Sequence, residues 1–228
     1  MNNDFIWNSG EFDKNIQMSA HNNGEISFLR SILQSGMEVM EIGANIGVTA
    51  TAISKTIGDA GHLYAFEPVR EYYASLLANL SQNGISNVSA YNLAASNQTG
   101  RIAFYKRAGG ASGVAPAHGG EKIWVEAISI SEFVIVEQIK RIDFLNLDCE
   151  GSELLVLQGA HSILEKHTPQ ILCEIHHEFL NALGQSADEI VHYLNDLGYF
   201  IRLLQIEQIE ADVPLDACSH IYASQMIA

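Results

Sequence analysis

The feature that most constrains this chain is a short, mostly apolar run broken by glycines. Residues 37–42 (MEVMEI) end in Gly43-Ala44-Asn45-Ile46-Gly47, after which Val48, Ala52, Ile53 and Ile57 recur at helical spacing up to Gly58. Six such residues suit a buried strand, the glycines allow a tight turn, and the period that follows is that of a helix. The unit then repeats. Residues 62–66 read as a second strand, Pro68 stands where a first helical residue is favoured, and Val69, Tyr72, Leu76 and Leu80 form an apolar face ending near Gly84. A third strand is expected at 88–93, with buried strands at 142–147 and 170–175.

The segments between fill in the alternation. Ile26, Leu29, Ile32 and Leu33 share one stripe of an opening helix over 25–35 that stops at Gly36. A helix carrying Leu154, Leu155, Leu157 and Leu164 separates the two later strands. Ser186 and Glu189 form a capping box ahead of Ile190, Val191, Leu194 and Leu197, and Gly198 closes that helix. Residues 199–204 and 219–223 are expected as a final antiparallel pair, and 101–105 and 123–128 are β-rich. Repeated βα units predict an α/β fold with a doubly wound, mostly parallel sheet, whose ligands bind just past the strand ends. One domain is expected over 1–228, with a helical segment at 1–36 and a core at 37–204.

Composition narrows the partners. The net charge is −15, from 27 acidic against 12 basic side chains, and no basic patch gathers, which argues against a nucleic-acid partner. No window approaches the roughly 20 unbroken apolar residues of a membrane span, and the start MNNDFIWNSGEFDKN lacks a secretory pattern, so a cytoplasmic protein is expected. Cys149, Cys173 and Cys218 show no CxxC spacing and suggest neither a disulfide framework nor a zinc site. The 15-residue stretch 107–121 is rich in Gly and Ala, and is expected as a flexible loop over the site or an excursion away from it.

The candidate site residues follow strands. Gly43 and Gly47 let the backbone lie against a ligand, and Ala44 and Asn45 complete the turn. Glu67 ends the second strand before Pro68, where an acid suits ribose hydroxyls. The GxxxG spacing lacks the middle glycine of a dinucleotide fingerprint, so a smaller adenosine ligand is favoured. In an S-adenosylmethionine site Glu41 would hold the ammonium, and Asp148, past the fourth strand, would reach the methionine end. Ala94, past the third strand, completes the expected cofactor contacts. Asp148, Glu174 and His176 form a possible divalent-ion set, but their spacing is not diagnostic and no metal is expected.

With these residues in view, residues 37–204 resemble the FkbM family of methyltransferases. The resemblance is carried by Gly43–Gly47 (GANIG), Phe66–Pro68 (FEP), Asp143–Glu153 (DFLNLDCEGSE), the GA at 159 and 160, and Pro169–His176 (PQILCEIH). It implies a class I, Rossmann-like methyltransferase fold with a seven-stranded sheet, S-adenosylmethionine as cofactor, and transfer to a hydroxyl of a small molecule such as a natural product or sugar. Three positions depart from the family pattern: Glu41 replaces the usual Asp, and Ser131 and Asn146 replace an Asp and a Lys. The last two suggest that an ionic interaction between those positions has given way to polar contacts. Asp148, then His176, are the expected bases for the hydroxyl proton, with His118 a weaker candidate. Two rival readings are a non-catalytic adenosylmethionine-binding subunit and a nicotinamide-dependent oxidoreductase.

Overall fold

The computed structural model describes residues 20–107, 112–116, 119–206 and 210–225. After the opening helix α1 (Ala20–Ile32), β1 (Glu38–Ile42), α2 (Val48–Ile57), β2 (His62–Phe66), α3 (Arg70–Gln82) and β3 (Val88–Tyr91) realise the predicted alternation. Next come β4 (Ala94–Ser96), β5 (Gly100–Lys106), β6 (Glu121–Ser129), α4 (Ile130–Val136) and β7 (Phe144–Leu147). The rest is α5 (Glu153–Gly159), α6 (His161–Lys166), β8 (Gln170–Glu174), α7 (His177–Ala182), α8 (Ala187–Asp196), β9 (Phe200–Gln205), β10 (Glu210–Ala211) and β11 (His220–Ser224).

The main sheet runs β10-β9-β11-β8-β7-β1-β2-β3. Its seven principal strands match the expected count, and the two-residue β10 adds an edge. Strands β3, β2, β1, β7 and β8 are mutually parallel, while β11 pairs antiparallel with both β8 and β9. The expected antiparallel pair at 199–204 and 219–223 is therefore present. A second sheet, β4-β6-β5, was not anticipated; β5 and β6 form a hairpin, and β4 runs parallel to the end of β6.

Alternation along β1 divides the core. Val39 packs with Leu29, Leu33, Ile53, Ile57 and Leu76 on the side of α1, α2 and α3. Met40 and Ile42 face the other layer, among Phe66 of β2 and Phe133, Leu154, Leu157, Leu164, Ile190 and Leu194 of α4, α5, α6 and α8. There Phe133 meets Phe66 edge-on at 4.7 Å and Tyr91 at 4.8 Å, contacts worth about 0.5–1.5 kcal/mol each beyond the buried area. Both faces of the sheet are covered, as a parallel sheet requires. Among the described residues no helix is long and apolar enough to cross a membrane.

Two local readings change. The expected helix over Leu154–Leu164 is two helices that meet at Ala160, and Gly159 before the break lies so close to β4 that a Cβ there would fall 2.0 Å from the Ser96 carbonyl oxygen. The expected contact between Ser131 and Asn146 is replaced. Asn146 shares the Phe144 side of β7 and donates from Nδ2 to Glu25 Oε1 of α1 at 3.3 Å. Ser131 opens α4, whose Ile130 and Phe133 pack on the opposite face. The two-residue period of a strand sends positions 145 and 146 to different layers, so Asn146 meets α1.

Candidate active site

Register aligns the strand ends. Ile42 of β1 sits level with Phe66 of β2 and Leu147 of β7, and Leu147 is level with Cys173 of β8. The next residue of each strand, Gly43, Glu67, Asp148 and Glu174, therefore emerges at one edge of the sheet. All four line a cavity of about 230 Å³, together with Asn45, Pro68, Ala94, Glu150 and His176.

The glycine turn is held by backbone. Gly43 and Ala44 donate to the Phe66 carbonyl at 3.0 and 2.9 Å, and Asp148 N donates to Ile42 O at 3.0 Å. Gly43 has φ 93°, and a Cβ on it would lie 1.8 Å from the Asp148 carbonyl oxygen, so only glycine fits. Glu67 clamps the same turn: Oε2 accepts from Asn45 N at 2.9 Å and Oε1 from Val69 N at 2.7 Å. Each oxygen keeps further acceptor capacity, as a ribose diol would need. Burial pushes the Glu67 carboxyl up to about 7, against the lowering effect of those two N–H donors.

The other wall is a cation among carboxylates. His176 Nδ1 lies 2.7 Å from Oε1 of the wholly buried Glu153, and Nε2 lies 3.6, 3.3 and 3.6 Å from Asp148, Glu150 and Glu174. Burial alone lowers the imidazole, but the Glu153 hydrogen bond and the charges of Asp148 and Glu150 carry it up to about 10. His176 is thus an imidazolium at neutral pH. Enclosure raises the Asp148 carboxyl well above the usual range, Glu174 adds to that, and His176 opposes it. Glu150 occupies a left-handed backbone position at φ 50°, an uncommon state for a non-glycine residue that concentrates at functional sites. Asp148, Glu174 and His176 offer ligand atoms within 4.8 Å of one another, but a metal would have to displace the His176 proton.

The cavity wall takes in Gly43, Asn45, Glu67, Pro68, Ala94, Asp148 and His176 and leaves out three expected contacts. Ala44 is buried in the core, and Gly47, at φ 91°, starts α2 against Leu76. Glu41 is buried behind the turn, where burial and the charges of Glu25 and Glu67 raise its carboxyl well above the ordinary value. Its Oε2 has no hydrogen-bond partner.

Part of the loop 107–121 covers the cavity. Ser112 lines it, and Gly113 bridges to Tyr105 and touches Glu150, whose carbonyl oxygen would lie 2.4 Å from an added Cβ. The Arg107 guanidinium sits 4.9 Å over the Phe179 ring and donates to the carbonyls of Gly119 (3.0 Å) and Ala115. His118 lies outside the described residues. Sequence reasoning missed Ser112 and Phe104 on this wall, and Glu25 behind it. The inward alternation of β5 was the available sign for Phe104, and the expected cover over 107–121 was the sign for Ser112; nothing local marks Glu25.

Comparison with known proteins shows what the chain resembles. Residues 41–201 match the methyltransferase FkbM domain. Over 156 residues the chain is 26% identical to the hexuronic acid methyltransferase AglP of Haloferax volcanii, covering 67% of this chain and 63% of that protein. Over 57 residues it is 37% identical to the protein-L-isoaspartate O-methyltransferase of Methanothermobacter thermautotrophicus, 25% of this chain and 26% of that one. The crystal structure of an FkbM methyltransferase from Methylobacillus flagellatus superposes with a TM-score of 0.57 at 19% identity, covering 85% of this chain and 45% of that one. This chain spans less than two thirds of each of these three proteins. With its family match extending from the end of β1 to the start of β9, the chain belongs to the FkbM methyltransferase family.

Proposed function

We propose that the chain methylates a hydroxyl oxygen of a small molecule, such as a sugar or natural product, with Asp148 taking the hydroxyl proton. The observation that carries this reading is the Asp148 carboxylate itself. It lies on the cavity wall beside the Gly43 turn, with its proton affinity raised by enclosure and by Glu174. A carboxylate of raised affinity is the stronger base.

When bound, S-adenosylmethionine would supply a sulfonium-activated methyl carbon open to in-line attack by the acceptor oxygen, with S-adenosylhomocysteine as the leaving group. The chain's own residues then have two tasks. Gly43, Asn45 and Glu67 hold the adenosine and ribose, and Asp148 orients the acceptor O–H and receives its proton. His176 already carries both ring protons, so it serves as a fixed cation that positions Asp148 and Glu150 rather than as a base. Ser112 and the covering loop keep bulk water from the reacting oxygen.

The sugar hydroxyl is supported by the hexuronic acid methyltransferase among the relatives, and the chain's charge of −15 weighs against a nucleic-acid acceptor. The test is a panel of hydroxylated acceptors incubated with methyl-labelled S-adenosylmethionine, the products being assigned by mass spectrometry. Label on oxygen is the expected result; label confined to nitrogen or carbon defeats the oxygen assignment.

A further inference from the structure

Outside the catalytic cavity, a groove of about 350 Å³ lies between the start of α3 and β6. Its walls include Arg70, Glu71, Arg101, Glu121, Trp124 and Glu126, and Pro68 belongs both to this groove and to the catalytic cavity. β4 pairs with β6 only at Ala127–Ser129, so among the described residues no strand covers the Glu121–Glu126 stretch of that edge.

Trp124 alternates with the buried Val125 and is 57% exposed, an unusual position for so large an apolar ring. The Arg101 guanidinium and the Lys122 ammonium flank it, 5.9 and 5.5 Å from the ring centroid. The charges lining the groove balance, Arg70, Arg101 and Lys106 against Glu71, Glu121 and Glu126, with Arg101 3.6 Å from Glu126 and Lys106 2.6 Å from Glu71. An ionic ligand therefore meets no net counter-charge. An exposed indole bordered by hydrogen-bonding groups fits a neutral pyranose, whose C–H face packs on the ring in place of the exposed Lys122 chain while its hydroxyls meet Arg and Glu side chains.

We propose that this groove binds a neutral oligosaccharide portion of the acceptor, with Trp124 stacked on one sugar ring and Pro68 adjoining the end that enters the catalytic cavity. The link to catalysis rests on the sugar-hydroxyl reading above; the binding itself does not.

The chain has two tryptophans, so Trp7→Phe leaves Trp124 as the sole tryptophan, excited selectively over the tyrosines at long wavelength. That variant is titrated with cellotriose, maltotriose and chitotriose, with glucose as the short control. The expected result is a saturable fluorescence change with at least one trisaccharide, at an affinity at least about tenfold above that for glucose. By calorimetry, Trp124→Ala should weaken the same binding by about tenfold, equivalent to about 1.4 kcal/mol. No response to any trisaccharide, unchanged affinity in Trp124→Ala, or a response only to trigalacturonate or to an extended Thr-Val peptide overturns the proposal. S-adenosylmethionine titrated into the same variants reads the other cavity. Intact cofactor binding without sugar binding removes the groove alone, whereas loss of cofactor binding in the parent chain removes the methyl-transfer reading.

Discussion

His176 is locked by Glu153: the ring Nδ1 stands 2.7 Å from a carboxylate oxygen on a side chain with no solvent exposure. The same oxygen accepts from Gly151 N at 3.0 Å, so Glu153 fixes both the ring and the turn that carries Glu150. The ring orientation, and with it the placing of Nε2 among three further carboxylates, is decided one layer behind the cavity wall.

This lock makes stability depend on pH. The folded imidazole titrates at about 10, above its unfolded value of 6.5, so its contribution is complete below about 6.5 and is lost as pH rises towards 10. Thermal midpoints should fall between pH 7 and 10. Glu153→Gln should flatten that fall and bring the His176 ring titration, followed by NMR, down towards neutrality. An unchanged ring titration in Glu153→Gln would show that Glu153 does not hold the proton there.

Asp148→Asn should lower turnover by about 10²- to 10⁴-fold, the usual contribution of a positioned base, while calorimetric affinity for S-adenosylmethionine stays within a few-fold. Because the Asp148 carboxyl is raised, the parent rate should climb with pH as it ionises. Full activity in the variant removes Asp148 from the chemistry.

Glu67 should make cofactor affinity pH-dependent. Its carboxyl titrates at about 7 in the folded chain, and only the ionised form is purely an acceptor for ribose hydroxyls. Affinity should weaken below pH 7, approaching about tenfold per pH unit if binding requires the ionised form. Glu67→Gln should bind weakly and show no such dependence; a pH-dependent affinity that persists in Glu67→Gln assigns the effect elsewhere.

Gly43→Ala should fail to fold or lose at least about 3 kcal/mol, since it adds a backbone clash to a left-handed conformation. Gly184, also left-handed at φ 71° but with nothing within 4 Å of an added Cβ, gives the control. Gly184→Ala should cost about 1–2 kcal/mol. Urea midpoints of the two variants compare steric contact directly with backbone strain.

The strands of the main sheet were readable because apolar runs, glycine turns and caps agree at each step, as at Gly43–Gly47 and at the Ser186–Glu189 capping box, which forms as expected. The small sheet was readable only in part, its β5 and β6 answering to the β-rich stretches 101–105 and 123–128. Its β4 is three residues long, and the Ala94–Ser96 stretch carries no periodicity by which to find it. Asp148, Glu67 and Asn45 were legible from their places after strands. Glu25 was not, because its role depends on α1 crossing to meet Asn146, 121 residues away. Glu41, expected as a ligand group from its place at a strand end, has its side chain buried behind the turn and off the cavity wall.

The position of β11 bears on how the chain is made. Although translated after β9, it occupies the interior slot between β9 and β8, and β8 carries Glu174 at its end. A nascent chain that has emerged only as far as β9 must leave that slot open, with two raw strand edges flanking the site. The acidic wall of the cavity therefore gains the support of β11 only after β9 has emerged, and shortening the chain before His220 would expose the β8 edge to strand-to-strand aggregation.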